Sequence, residues 1–518
     1  MIDLATLLLV AAIAYAIRRA LHIPLIPMLL LSGMALRYSG LALDEDIGKA
    51  VLDVGLAVLV FSAGMELNPK RFGGQHRLVL GIGLTQFFCI GIGGVLLSRW
   101  LGLDWLSALY IGLAISTSST LIIIRLLKSR QQMFEPFGRI VTGVLLLQDL
   151  LIILIIVLLY HLPEGLVAVG LGMGGLAVLL ALCYVCLRWL LPHMVLKMKL
   201  DQETLGLAIL AVLFIFMGLA HLLRLPIITG AFLAGVSLSA FPVNSVARGL
   251  ISSITIFFMA IFFIVLGGLI DWLSPEEWAR AAWLTLFILV ATPALVVTVA
   301  LRMGLNARSA IESGLLLAMT SEFSLLVVLQ GLFLGLISEQ IFNIVAMATV
   351  LTMTITPLLA TDRITWRLMN WLPNPVPSEG SDAAQLADHV ILLGYGKGSS
   401  VVLKMLRQAG YEVVIVVDDP VVVRELTEQG IRAITGDGAD PRILAGVGID
   451  RAKLVISSMR RVSDTLNVLD RLSSGDTQLI IRVFEPEEAE QVRAKGGIPV
   501  LSSDAAAAAF MKWYEQVM

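Results

Sequence analysis

Two carboxylates stand where carboxylates are costly. Asp149 lies in the middle of the apolar stretch 140–160, and Glu322 in the middle of 311–335. A charge at the centre of a bilayer costs at least about 2.5–3.5 kcal/mol, so an acid kept there is a functional candidate by default. Gln148 sets a neutral oxygen beside Asp149. The run Ala114-Ile-Ser-Thr-Ser-Ser-Thr120 puts five hydroxyls in a row, and Ala318-Met-Thr-Ser-Glu322 leads with two hydroxyls into the second acid. Hydroxyls in hydrocarbon are expensive unless they line a cavity or satisfy backbone groups freed by a broken helix. The bland readings are a carboxyl that stays protonated and hydroxyls that only glue helices together. The functional reading is a pair of unwound helices crossing beside Asp149. A carboxylate among oxygens can exchange a proton for a monovalent cation, K⁺ or Na⁺, held at Asp149. Gln148, Ser118, Ser119, Thr120, Thr320, Ser321 and Glu322 complete the candidate set. One titrating acid suggests one proton against one cation, hence electroneutral exchange.

A second constellation lies near the C-terminus. Val390-Ile-Leu-Leu reads as a buried strand, Gly394-Tyr-Gly396-Lys397-Gly398-Ser399 follows, and a helical pattern runs to Ala409. The next strand, Val413–Val417, ends in Asp418 and Asp419. Glycines allow close phosphate approach, a helix N-terminus favours an anion, and an acid at the second strand's end suits ribose hydroxyls. Ser399 stands where the fingerprint has its third glycine. Ser is small enough to keep helix–strand packing close. Later strands read at Ala433–Thr435, Leu454–Ile456 and Leu479–Val483, with Gly436-Asp437 closing the third. An adenine nucleotide (AMP, NAD(H) or ATP) is the expected regulatory ligand, and no redox or structural metal cofactor is expected. The competing reading is an empty Rossmann-like scaffold.

Composition says what must hold these residues. The 518 residues are 58% hydrophobic and 15% charged. Ordinary soluble domains are about 45–50% apolar and about 25% charged. Half of the 76 charged residues fall in the last 157 positions. The chain therefore reads as a membrane domain (1–370), a Pro/Ser-rich linker (371–387, with its core Trp371–Asp382) and a polar α/β domain (388–518). Thirteen apolar segments lie near 2–17, 24–37, 50–65, 78–98, 105–124, 140–160, 165–187, 204–222, 226–241, 249–270, 281–301, 311–335 and 340–361. Loops after odd segments hold fifteen Lys/Arg and loops after even segments hold five. By the positive-inside rule the N-terminus lies outside and the α/β domain in the cytosol. Cys183 and Cys186 read as two small hydrophobes on one helix face. No basic block suggests nucleic acid.

The segment 21–36 matches 223–238 at six positions, among them Pro24/Pro226 and Gly33/Gly235. The copies open segments two and nine, and the hydroxyl-bearing segments five and twelve are likewise seven apart. An odd separation inverts one copy relative to the other, and inverted repeats mark secondary transporters. The expected fold is a polytopic α-helical membrane domain with two broken crossing helices, followed by a Rossmann-like α/β domain.

Taken together, Gln148-Asp149, Ser118-Ser-Thr120, Ser321-Glu322-Phe323 and the C-terminal glycine loop resemble the Kef-type branch of the cation:proton antiporter-2 family. That branch carries a TrkA-N (RCK N-terminal) domain. The resemblance implies that Asp149 carries both proton and cation. It also implies that the Gly394–Ser399 loop, Asp418 and Gly436-Asp437 bind nucleotide, and that the regulatory domain pairs with its twin in a homodimer and gates transport. A bacterial inner membrane is the implied location, lipid the surroundings, and an ancillary regulatory subunit a further partner. The chain departs from many relatives in lacking a lysine in the eleventh segment, which reads Ala291-Thr-Pro-Ala-Leu-Val-Val. It also lacks the His-Ala-Leu-Glu stretch of glutathione-gated members, reading Asn244-Ser-Val-Ala-Arg-Gly249 there. Apolar Ala505–Phe510 is the expected pairing surface. The competing classes are a nucleotide-gated cation channel, or efflux facilitator, and a membrane-anchored dehydrogenase. A chain with no catalytic base beside a substrate pocket is not expected to be an enzyme.

Overall fold

The computed structural model describes residues 2–21, 23–39, 45–66, 75–190 save 131 and 134, 202–239, 245–369, 386–504 save 460 and 473–476, and residues 507 and 511. The linker Trp371–Asp382 and nearly all of the pairing segment 505–510 lie outside these residues. The chain forms two compact units: Met1–Leu305 with Ser309–Met369, and Asn306–Arg308 with Asn370–Met518.

Among its described residues, the first unit has only helices as regular elements. In chain order it runs α1 (Ile2–Leu21), α2 (Leu25–Tyr38), α3 (Glu45–Glu66), α4 (His76–Trp100), α5 (Trp105–Ile115), α6 (Thr120–Ser129), α7 (Pro136–His161), α8 (Leu166–Val185), α9 (Gln202–Leu222), α10 (Ile227–Leu238), α11 (Ser245–Gly268), α12 (Pro275–Arg302), α13 (Ala307–Leu316), α14 (Glu322–Phe333), α15 (Glu339–Leu359) and α16 (Asp362–Met369). Every one of the thirteen apolar segments carries a helix or a pair of helices. Among the described residues, seven stretches are long and apolar enough to cross a membrane: those of α4, α5–α6, α7, α8, α9, α12 and α15. Leucines and valines stay exposed on α8, among them Leu166 and Val167. In a bilayer such exposure is not a liability.

The inverted repeat is written into the helix boundaries. Leu25 and Ile227 open α2 and α10, Trp105 and Ala307 open α5 and α13, and Thr120 and Glu322 open α6 and α14. Each pair is 202 residues apart. Close packing obeys the same rule. A side chain on Gly33 of α2 would strike the Ile264 carbonyl of α11, and one on Gly235 of α10 would strike the Phe61 carbonyl of α3. Likewise Gly267 presses on Leu30 and Gly64 on Phe232. The second helix of each repeat therefore packs on the third helix of the other, with glycines letting the backbones meet. Gly112 of α5 against Gly91 and Val95 of α4 is matched by Gly314 of α13 against Pro293 and Val297 of α12. The membrane architecture expected from the sequence is the one observed.

The second unit is a parallel α/β sheet. Its strands are β1 (Val390–Leu393), β2 (Val413–Val417), β3 (Arg432–Thr435), β4 (Leu454–Ser457), β5 (Gln478–Val483) and β6 (Ile498–Leu501), in the order β3-β2-β1-β4-β5-β6. All five pairings are parallel. Every residue of β1 and β2 is buried, as unbroken aliphatic runs require when helices cover both faces. Helices α17 (Lys397–Gln408), α18 (Pro420–Glu428), α19 (Pro441–Gly446), α20 (Val462–Leu472) and α21 (Pro486–Ala494) make the crossovers. The strand order reverses between β1 and β4, where open α/β sheets bind ligands beyond the strands' carboxyl ends.

Candidate cation site and nucleotide loop

Two interruptions organise the membrane unit. α5 stops at Ile115 and α6 restarts at Thr120; α13 stops at Leu316 and α14 restarts at Glu322. The residues that restart each helix are extended, with Ser119 at φ −70°, ψ 110° and Ser321 at φ −94°, ψ 158°. Each break frees backbone groups that hydrocarbon cannot satisfy, and side chains supply the partners. Ser119 Oγ accepts from Ile122 N at 3.3 Å, and Ser321 Oγ accepts from Phe323 N at 3.1 Å. Ser118 N donates to Gln148 Oε1 at 3.0 Å, while Thr320 N donates to Thr352 Oγ1 at 3.3 Å. The breaks also cap one another. Ser118 Oγ donates to Leu317 O at 2.8 Å, and Ser324 Oγ donates to Ala114 O.

The two acids sit differently in this frame. Glu322 spends both oxygens on the first break: Oε2 accepts from Ser119 Oγ at 2.9 Å and Oε1 from Leu121 N at 3.4 Å. It opens α14 and faces the start of α6, so two helix N-termini favour its charge. Asp149, on α7, is 0% exposed. Its Oδ2 accepts from Thr120 Oγ1 at 2.8 Å, whereas its buried Oδ1 has no hydrogen-bond partner among the described residues.

The structure thus gathers Gln148, Asp149, Ser118, Ser119, Thr120 and Glu322 into one network. Thr320 and Ser321 belong to the other break, where Thr320 Oγ1 lies 2.9 Å from Thr352 Oγ1 and Ser321 N donates to Ser324 Oγ at 3.1 Å. Sequence reasoning passed over Gln86, Ser324 and Thr352. Gln86, a buried amide within the apolar helix α4, donates through Nε2 to Ser118 Oγ at 3.0 Å. The rule that singled out Asp149, a polar group inside an apolar stretch, would have found it. Cys183 and Cys186 are buried, and Cys183 Sγ donates to Leu233 O at 3.3 Å, as small core residues do. No group of three or more His, Cys, Asp or Glu side chains is placed to hold a metal ion among the described residues.

In the second unit the glycine loop lies at the strand-order reversal. Gly394 takes φ +83°, a backbone that side chains resist, and its N donates to Val416 O at 2.8 Å. Gly396 precedes α17 with open space where a Cβ would stand. Lys397 opens the helix, its side chain lying outside the described set. Ser399 is buried and donates to Ser458 Oγ at 2.8 Å, and Ser458 bonds back to Gly394 O at 3.0 Å. The serine that replaces the third glycine therefore stitches the loop to the end of β4. Asp418 and Asp419 follow β2, both half-buried. Gly436 N donates to Val417 O at 3.0 Å, and Asp437 Oδ1 accepts from Ala439 N at 2.9 Å. One further cation was not read from the sequence. Arg482 of β5 has its Nη1 3.5 Å from where a Cβ on Gly398 would be, with its guanidinium held by Ser502 Oγ at 2.9 Å and stacked 4.9 Å over Phe484. Loop, helix N-terminus, strand-end acid and guanidinium fit a nucleotide phosphate and ribose.

Comparison with known proteins agrees with this division. Residues 6–361 match the model of the transmembrane sodium/hydrogen exchanger family, and residues 390–511 match the TrkA-N domain. The putative cation/proton antiporter YbaL of Escherichia coli K12 is 24% identical over 508 residues, covering 93% of this chain and 90% of YbaL. The glutathione-regulated potassium-efflux system protein KefC of the same strain is 25% identical over 513 residues, covering 94% and 82%. The solved sodium proton antiporter MjNhaP1 of Methanocaldococcus jannaschii superposes with a TM-score of 0.55 at 14% identity, covering 71% of this chain and 99% of that one, and so shares the fold. The chain is a member of the transmembrane sodium/hydrogen exchanger family, a cation/proton antiporter related to YbaL and KefC, with a TrkA-N domain following its membrane unit.

Proposed function

We propose that this antiporter exchanges one monovalent cation, K⁺ in preference to Na⁺, for one H⁺ at Asp149. One observation carries the assignment: of the two acids at the helix breaks, Glu322 spends both oxygens on protein partners, whereas Asp149 keeps Oδ1 without a hydrogen bond among the described residues. With the proton gone, the Asp149 carboxylate attracts a cation, Thr120 holds Oδ2, and Oδ1 faces the ion. Gln148 keeps its second oxygen lone pair and the break's geometry beside it. Glu322 fixes the start of α6 and stays out of the exchange. A single titrating acid makes the cycle electroneutral. The name of KefC, a potassium-efflux system protein, supports K⁺. The N-terminus outside and a cytosolic TrkA-N domain follow from the fifteen-to-five distribution of loop basics, and the relation to YbaL and KefC of Escherichia coli supports a bacterial inner membrane.

The second unit binds an adenine nucleotide and biases transport. The phosphates lie against the backbone amides of Gly396–Ser399 with Arg482 beside them, and Asp418 takes the ribose hydroxyls. Gly436-Asp437 closes the site. Nucleotide occupancy influences transport only by favouring one state of the transporter over another. A homodimer accommodates paired TrkA-N domains.

The test is proteoliposome flux with K⁺, Na⁺, Rb⁺ and Li⁺ driven by a pH gradient. Asp149→Asn keeps the shape and removes the titration, and its exchange is expected to fall to background. Wild-type rates are expected to ignore an imposed membrane potential. Normal exchange in the variant refutes the assignment of Asp149, and a rate that follows the potential means that a second charge moves.

A further inference from the structure

Ser118 joins four elements. Its N–H reaches Gln148 of α7, its hydroxyl proton goes to Leu317 at the end of α13, and its oxygen accepts from Gln86 of α4. Leu317 O can only accept and Ser118 N can only donate, so the Ser118 hydroxyl has just its lone pairs left, and Gln86 meets them as a donor and holds the serine from its third side. Gln86 is 2% exposed, and its Oε1 has no hydrogen-bond partner. Gln148 Nε2 and Thr117 Oγ1 are buried and unpartnered in the same neighbourhood. A half-satisfied amide in hydrocarbon is a cost that an apolar side chain of equal volume avoids.

The other repeat shows that the fold does without it. The position 202 residues on is Ile288, 1% exposed on α12. The register is sound there, since Gly91 and Val95 against Gly112 are matched by Pro293 and Val297 against Gly314. The second break closes with Thr352 on Thr320 N and an isoleucine where the first has Gln86. An amide on the fourth helix is therefore not what a broken helix requires. It is present only on the repeat that contains Asp149.

We propose that Gln86 is a positioning residue for cation exchange: through Ser118 it fixes Gln148 beside Asp149, and so sets cation affinity and selectivity rather than the proton step. This rests on Asp149 as the exchange site. A merely structural amide would move stability without moving affinity.

The experiment is a double-mutant cycle on the full chain in proteoliposomes, using K⁺ and Na⁺ as probes. Gln86→Met and Ser118→Ala are each expected to raise the apparent KM for the preferred cation by about five- to tenfold, the size of one lost buried hydrogen bond. The pH midpoint is expected to stay in place. The double variant is expected to be no worse than the weaker single, because both remove the same coupling. Gln86→Leu keeps most of the volume and loses the donor without adding an ionisable group, and is expected to raise KM as Gln86→Met does; it serves if the methionine variant fails to reach the membrane. Additive effects, an unmoved KM, or a fall in rate alone in well-folded protein overturns the proposal. Asp149→Asn in the same assay separates the two readings. An active Asp149→Asn refutes the exchange site, and an inactive one beside an unmoved Gln86→Met refutes only the role of Gln86.

Discussion

At the scale of single residues, the decisive quantity is how many oxygens of each acid the protein itself uses. Glu322 uses two and Asp149 one. Substituting Glu322→Gln turns an acceptor toward Ser119 into a competing donor and removes the charge from two helix N-termini. Apparent cation affinity is expected to weaken by roughly five- to tenfold, about the worth of one charge-assisted hydrogen bond, with exchange retained. Flux titrations of the variant against wild type check this; complete loss of exchange would make Glu322 a second exchange acid. Asp149 was legible in the sequence because a carboxylate inside a long apolar run breaks the pattern. Its bond to Thr120 was legible only as proximity of types. Glu322 reaching back to Ser119 and Leu121 depends on how two interrupted helices cross, which spacing along the chain does not encode. Gln86 escaped because a neutral amide alters neither the charge count nor the hydropathy of a 25-residue helix.

At the scale of elements, the breaks and the glycine crossings are one design used twice. Gly33 and Gly235 occupy equivalent places, each pressed on a backbone carbonyl of the partner helix. Backbone cannot yield as a flexible side chain can. Gly33→Leu and Gly235→Leu are therefore expected to destabilise the membrane unit by about 1–3 kcal/mol or more, and by similar amounts. Thermal melting of the purified variants in detergent measures it, and a strongly unequal pair would show that the repeats are not mechanically equivalent. In the sequence six matched positions, and hydroxyl runs in segments seven apart, betrayed the repeat. Apolar residues interchange freely where only volume matters, so the rest of the symmetry survives in helix ends and contacts rather than in identities. The parallel sheet was easier to read, since β1 and β2 are aliphatic along their whole length.

At the scale of the whole molecule, a transport unit and a TrkA-N unit share one chain. The acid after β2 favours ribose hydroxyls and repels a 2′-phosphate. Calorimetry on the full chain in detergent is expected to show AMP, NADH or ATP binding, with NADP at least about tenfold weaker than NADH. Arg482→Ala is expected to weaken every phosphate-bearing ligand, and Asp418→Ala to narrow the gap between NADH and NADP. Equal affinity for NADH and NADP in the wild type would remove Asp418 from the site. The exchanged packing of the repeats, α2 on α11 and α3 on α10, also sets a timetable. Gly33 leaves the ribosome more than 200 residues before Ile264. At about 5–20 residues per second the wait is roughly 10–50 s. During that interval the first half stands in the bilayer with its glycine faces open, and no amount of local folding can close them. Newly made chains halted between the two repeats should therefore be the most protease-sensitive and insertase-dependent species in the protein's biogenesis.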